Sequence, residues 1–84
     1  MNKEYMDIMT TTEFKEHLLE LFKNMMAQRY SIDLIEIVGN LLRTFDKENK
    51  AKAVIEFNKI AQKQLPEQEF HLEISKKYKE LQGL

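Results

Sequence analysis

Cysteine and tryptophan are absent from this 84-residue sequence, which has one proline and two glycines. The lack of cysteine excludes disulfide bonds, thiol catalysis and zinc sites built on cysteine. Long apolar runs are missing too, because the most hydrophobic stretch, residues 31–45, is interrupted by Asp33, Glu36 and Arg43. It falls far short of the roughly 20 apolar residues that span a bilayer, so no membrane span is predicted.

The amino-terminal residues MNKEYMDIMTTTE contain no continuous apolar run of the kind found in signal peptides. We therefore expect a cytoplasmic protein. Residues 1–9 are expected to form either a flexible tail or a short helical arm. An excess of basic charge is also lacking, since 13 Lys and Arg face 14 Asp and Glu and leave a net charge of -1. Nothing in that balance favours nucleic acid as a partner.

The composition, 43% hydrophobic and 32% charged, is that of an ordinary globular protein. A chain of this length is expected to form one helical domain over residues 1–84, with a hydrophobic core that is only just sufficient. Association with a partner protein, or with a second copy as a homodimer, would add buried surface. Either association is therefore expected.

Hydrophobic spacing predicts an all-α fold, a small four-helix bundle with short connections and helices at about 11–29, 32–45, 47–64 and 66–81. The second helix is apolar around more than half of its circumference, and we expect the other three to surround it. In the first helix, the apolar arc is wide enough either to touch two neighbouring helices or to leave a flank for a partner. The first helix's predicted buried face contains Phe14, Leu18, Leu21, Phe22 and Met25.

Local signals mark the predicted helix boundaries. Thr10 and Glu13 fit a capping box, and Ser31 is a good N-cap for the second helix. A break near Asp46 is predicted because the apolar stripe after it is rotated relative to that of the second helix. Pro66 suits the start of the last helix, which Gly83 is expected to end. Gly39 lies inside the predicted second helix, where glycine is unfavourable. We therefore expect another helix to cross closely at this position.

Catalytic and metal-binding patterns are not found. His17 and His71 fall on different predicted helices, and neither belongs to a pair with metal-ligand spacing. The acidic residues fall on polar helix faces, and no glycine-rich phosphate loop or nucleophile motif occurs. We therefore expect no enzyme activity, no metal and no cofactor.

A helix-turn-helix that binds nucleic acid is one alternative. The lysines of the 47–63 helix would then face phosphate, and they are Lys47, Lys50, Lys52, Lys59 and Lys63. Recognition helices normally offer Arg, Asn or Gln to base edges, and the chain has only two arginines. Glu48 and Glu56 also interleave with these lysines, as on a solvated helix face.

A second alternative comes from Ser31-Ile32-Asp33, followed by residues 35–38, Leu41 and Phe45. This pattern resembles the second helix of acyl carrier proteins, and residues 53–57 are faintly similar to their last helix. The resemblance implies that Ser31 would carry a phosphopantetheine arm. It covers under a third of the chain, and Tyr30 stands where that family has an acidic residue. An N-cap serine before an amphipathic helix produces most of the match.

Apolar residues beyond the needs of one small core favour an interaction protein. Tyr5, Met6 and Met9 contribute to this excess near the amino terminus, and methionine and tyrosine suit adaptable contact surfaces. The main expectation is a non-enzymatic module, a regulator or inhibitor that binds a protein partner, by analogy with immunity-type and phage accessory proteins of similar size. Its predicted contact residues are Leu19, Met26, Tyr30 and Leu72.

Overall fold

The computed structural model describes residues 12–83, and these form four α-helices. They are α1 (Phe14–Ala27), α2 (Ile32–Arg43), α3 (Lys47–Ala61) and α4 (Glu67–Leu81). The predicted all-α, four-helix architecture is confirmed. The predicted cap at Thr10 and the amino-terminal arm lie outside the described residues.

Side-chain caps begin the two middle helices where the sequence predicts them. The Ser31 hydroxyl accepts a hydrogen bond from the Leu34 N–H at 3.2 Å, and the Asp46 carboxylate accepts one from the Asn49 N–H at 2.9 Å. Each cap satisfies a backbone donor that has no partner within the helix. The cap at Asp46 confirms that α2 and α3 are separate helices. Pro66 directly precedes α4, as expected.

Three helices end before the predicted residues 29, 45 and 64, at Ala27, Arg43 and Ala61. Arg29 and Gln64 adopt left-handed backbone conformations, with φ values of 60° and 57°. A left-handed residue ends the helical repeat, and glycine or asparagine usually occupies that position. Because neither residue type is present there, the sequence contains no signal for these two stops. Gly83, with φ of 81°, follows α4 as predicted.

The centre of the bundle is α3, and the prediction that the second helix is central is wrong. Seven residues of α3 are buried, against three of α2, and α3 contacts all three other helices. On α2, Ile32 is 74% exposed and Ile37 is 38% exposed. The small residues of α3 explain the difference, because alanine lets neighbouring helices approach closely on several sides. Those buried alanines are Ala51, Ala53 and Ala61.

Candidate functional site

An apolar groove separates α1 from α2 in the bundle. Phe14, Leu18 and Phe22 form its α1 wall, and Gly39, Leu42 and Arg43 form its α2 wall. Lys50, in the first turns of α3, closes one end, and the cavity volume is about 270 Å³. The groove therefore lies where two helices rest on α3 without filling the space between them.

A second depression continues this groove along α2. It has a volume of about 390 Å³ and shares Phe22, Gly39 and Arg43 with the first. Its other lining residues are Ile35, Glu36 and Asn40. We use the name α1–α2 groove for the two depressions together. The Phe14 end lies near the carboxyl end of α2, and the Phe22 end lies nearer its amino end.

Four-residue spacing produces the α1 wall. Phe14, Leu18 and Phe22 recur at i, i+4 and i+8, which places them in one row on a helix. All three are partly buried against the core. The row is about 12 Å long, because a helix rises 1.5 Å per residue. These side chains therefore support the core on one flank and line the groove on the other.

Gly39 keeps the α2 wall low. A Cβ atom built at this position meets no neighbouring atom of residues 12–83 within 4 Å. The predicted close helix crossing at Gly39 is therefore wrong, because no helix approaches it closely enough to require a glycine. A glycine inside a helix costs about 1 kcal/mol relative to alanine. No close packing at Gly39 offsets that cost.

Charge is distributed unevenly along the groove. Lys50 lines only the first depression, which contains Phe14, and Glu36 lines only the second, whereas Arg43 borders both. The ion pairs found among residues 12–83 involve other side chains, so neither cation has a carboxylate within 4 Å in that part of the chain. The Phe14 end is consequently suited to a negatively charged group.

Two of the predicted contact residues extend the apolar surface outward from the groove. Leu19 is 62% exposed and Met26 is 64% exposed, both on α1. At 100° per residue, Met26 lies about 40° around the helix from Phe22, and Leu19 lies about 60° from it, on the side away from the core. Both side chains therefore lie beside the Phe22 row on the solvent side of α1, outside the groove lining, and we call these two residues the outer lip.

Leu72 is also exposed, but it lies on α4 and outside the groove lining. Its neighbours in a shallow depression are Gln68, His71 and Ser75, all on the same helix. Leu72 is therefore a separate apolar point on the surface.

Tyr30 lies in the core, unlike the other three predicted contact residues. Its ring stacks on Phe70 with 4.6 Å between centroids, and its hydroxyl donates a hydrogen bond to the Leu65 carbonyl. Burial raises the pKa of this hydroxyl, and the charge of Glu67 raises it further. Tyr30 therefore fixes the α1–α2 connection against α4 and is unavailable to a partner.

The Ser31 hydroxyl, the candidate attachment site, is engaged in two hydrogen bonds. Besides accepting from Leu34, it donates to the Glu67 carboxylate at 2.8 Å. These bonds cap α2 and connect its start to the start of α4. The serine therefore has a structural role in this fold.

Three lysines on or next to α3 and α4 pair with carboxylates. Lys59 pairs with Glu56 at 3.3 Å, and Lys63 pairs with Glu73 at 3.7 Å. Lys77 donates a hydrogen bond to Glu80, which raises the pKa of the lysine. This face therefore has mixed charge.

Residues 12–83 contain neither a cluster of metal ligands nor a helix that could span a membrane. No group of three or more histidine, aspartate or glutamate residues is placed to hold a metal ion there. None of the described helices has the length and apolar character that crossing a bilayer requires. The first depression of the α1–α2 groove is lined mainly by apolar side chains.

Comparisons with protein-family models, curated proteins and solved structures find no match. The groove itself is therefore the basis for assigning a function. The sequence predicts Phe14, Leu18 and Phe22 on the buried face of the first helix, whereas in the structure they are only partly buried and line the groove. It does not show that α1 and α2 stand apart, because that gap depends on how both helices pack on α3.

Proposed function

We propose that this protein is a small, non-enzymatic interaction module that binds a partner protein through the α1–α2 groove and its outer lip. The observation that carries the proposal is the apolar lining of the groove together with Leu19 and Met26, which are exposed on the same helix three and four residues from Phe22. Exposed apolar surface of this kind commonly marks an interaction site. Its role would be that of a regulator or inhibitor in the cytoplasm.

The lining favours binding over catalysis. Acid–base catalysis needs titratable groups held within reach of a substrate, usually with displaced pKa values. The first depression presents apolar side chains together with Arg43 and Lys50, and its volume is about 270 Å³. It has room for a few side chains of a partner.

The surface charges favour a protein partner over nucleic acid. Lys59 and Lys63 are each paired with a carboxylate, which weakens their attraction for phosphate. Lys59 lies on α3 and Lys63 just after it, and α3 contacts all three other helices. A recognition helix must instead present one face to a DNA groove. Strong, salt-dependent retention on DNA would argue against the proposal.

Affinity capture from the native host with a filled groove tests this function. Gly39→Leu adds a side chain where no atom lies within 4 Å of a Cβ, so the protein should still fold. Leu72→Gln removes an exposed apolar side chain outside the groove and serves as the matched control. Circular dichroism confirms that each variant is helical before it is used.

We expect the wild-type protein and Leu72→Gln to capture the same partner, and Gly39→Leu to lose it. Leu19→Gln, at the lip, should weaken capture without abolishing it. Capture that persists with Gly39→Leu but disappears with Leu72→Gln would place the binding surface on α4 and refute the role of the groove.

A further inference from the structure

We infer that the partner inserts an amphipathic helix into the α1–α2 groove, with acidic residues at the end that meets Arg43 and Lys50. The inference rests on the proposed function and adds the chemistry of the partner to it. The occupant is thus a short helical segment of another protein, with an apolar row along one face and carboxylates clustered at one end of that row.

The length of the groove matches that of a short helix. Phe14, Leu18 and Phe22 form a row about 12 Å long on one side, and α2 forms the other side. A helix that places apolar residues at i, i+4 and i+7 spans about 10.5 Å along its axis. Helix-in-groove recognition uses such anchors. Two turns of a partner helix therefore match the length of the α1 row.

The charges of the groove favour acidic residues on the partner helix. Lys50 and Arg43 both line the first depression, which contains Phe14, although Arg43 also borders the second, and neither has a carboxylate within 4 Å among residues 12–83. Glu36 lines only the second depression. Opposite charges on a partner speed association and set its direction, and like charges suppress the wrong partner. A carboxylate near Arg43 and Lys50 is therefore the complementary group.

Charge also disfavours a second copy of this chain as the occupant. The exposed apolar side chains of α1 are Leu19 and Met26. On a helical projection, Lys15 and Lys23 lie on either side of this pair. A second α1 inserted through Leu19 and Met26 would bring these lysines toward a groove that already carries Arg43 and Lys50.

Two synthetic helical peptides provide the test. Both have leucine at i and i+7 and tryptophan at i+4. One has two glutamates beside the first leucine, and the other has two lysines there. Because the protein has no tryptophan, the fluorescence of the peptide reports binding directly. We expect the glutamate peptide to bind at least tenfold more tightly than the lysine peptide.

Two charge variants of the full chain locate the effect. Arg43→Glu, an exposed change at the groove, should weaken the glutamate peptide at least fivefold and strengthen the lysine peptide. Lys79→Glu makes the same kind of charge reversal on the exposed surface of α4 and should leave the preference between peptides unchanged. Equal effects of the two variants would mean that only net charge matters, which would overturn the inference.

Equal binding of the two peptides, or no binding of either, would also overturn it. A wild-type dimer that Gly39→Leu converts to a monomer would identify a second copy as the occupant and would overturn it as well. The proposed function fails separately, when host capture is insensitive to Gly39→Leu. The peptide and capture experiments together therefore distinguish a groove whose partner has a different charge from a groove that binds no partner.

Discussion

At the residue scale, Tyr30 shows how the hydrogen bond of one hydroxyl helps to place a side chain in the core instead of on the surface. As part of a wide apolar arc, Tyr30 fits a contact surface as well as a core. In the fold it stacks on Phe70 and donates to the Leu65 carbonyl, two partners that lie far along the chain. Such long-range pairing leaves no local pattern, so the sequence predicts an apolar position without predicting which surface it faces.

Replacement of Tyr30 with phenylalanine tests this role. Tyr30→Phe keeps the stacking but leaves the Leu65 carbonyl without its donor, so the free energy of unfolding should fall by about 1 kcal/mol at neutral pH. Because the folded pKa of Tyr30 is raised, its contribution is complete below the ordinary value of 10.0 and is lost as pH rises through the folded pKa. Urea unfolding of both proteins across alkaline pH should show the difference narrowing. A constant difference would contradict the role of the buried hydroxyl.

Gly39 gives a second prediction at this scale. Gly39→Ala should raise the free energy of unfolding by about 0.5–1 kcal/mol, since alanine favours the helix and its methyl group meets no atom within 4 Å. Denaturant unfolding measures this directly. Destabilisation would show that the groove is closed in solution and that a helix crosses near Gly39.

At the scale of elements, helix starts are more predictable than helix ends. Ser31 and Asp46 cap their own helices through residues three positions away, which a sequence pattern captures. The ends at Arg29 and Gln64 depend on left-handed backbone conformations, which neither arginine nor glutamine predicts. Local chemistry therefore predicts where α2 and α3 begin, whereas the turns after α1 and α3 depend on the packing of the whole bundle.

The turn after α3 gives the prediction at this scale. An L-residue in the left-handed region is strained by about 1–2 kcal/mol, so Gln64→Gly should stabilise the protein by about 1 kcal/mol. Gln62→Gly is the matched control, because Gln62 has φ of -69° and gains nothing from glycine. Thermal unfolding should rank Gln64→Gly above the wild type and Gln62→Gly below it. The opposite order would contradict the turn described here.

At the scale of the whole molecule, the sequence predicts the fold class but places the wrong helix at its centre. Counting apolar residues favours α2, which has more isoleucine and leucine than α3. Burial depends also on how closely helices approach, and the alanines of α3 permit contact on several sides. Asn58 is buried there as well, with a 2.9 Å hydrogen bond from Asn24, although its polarity suggests a surface position.

Paired alanine substitutions test which helix is central. Phe57, in α3, is completely buried, so Phe57→Ala should cost about 3–5 kcal/mol of unfolding free energy. Ile37→Ala, in α2, should cost under about 1 kcal/mol because that side chain is 38% exposed. Chemical denaturation compares the two. If Ile37→Ala lowered the unfolding free energy as much as Phe57→Ala or more, α2 and not α3 would be the central helix.

The groove is likewise a property of the whole molecule, since it exists only where α1 and α2 rest apart on α3. The two glycines offer a direct probe of it, because glycine amide nitrogens resonate apart from most others and Gly39 and Gly83 are the only two in the chain. When the captured partner is added to the nitrogen-15-labelled protein, we predict that the Gly39 amide signal shifts or broadens while that of Gly83, after α4, stays in place. A Gly39 signal that does not change when the partner is bound would contradict the central claim that the α1–α2 groove is the binding site.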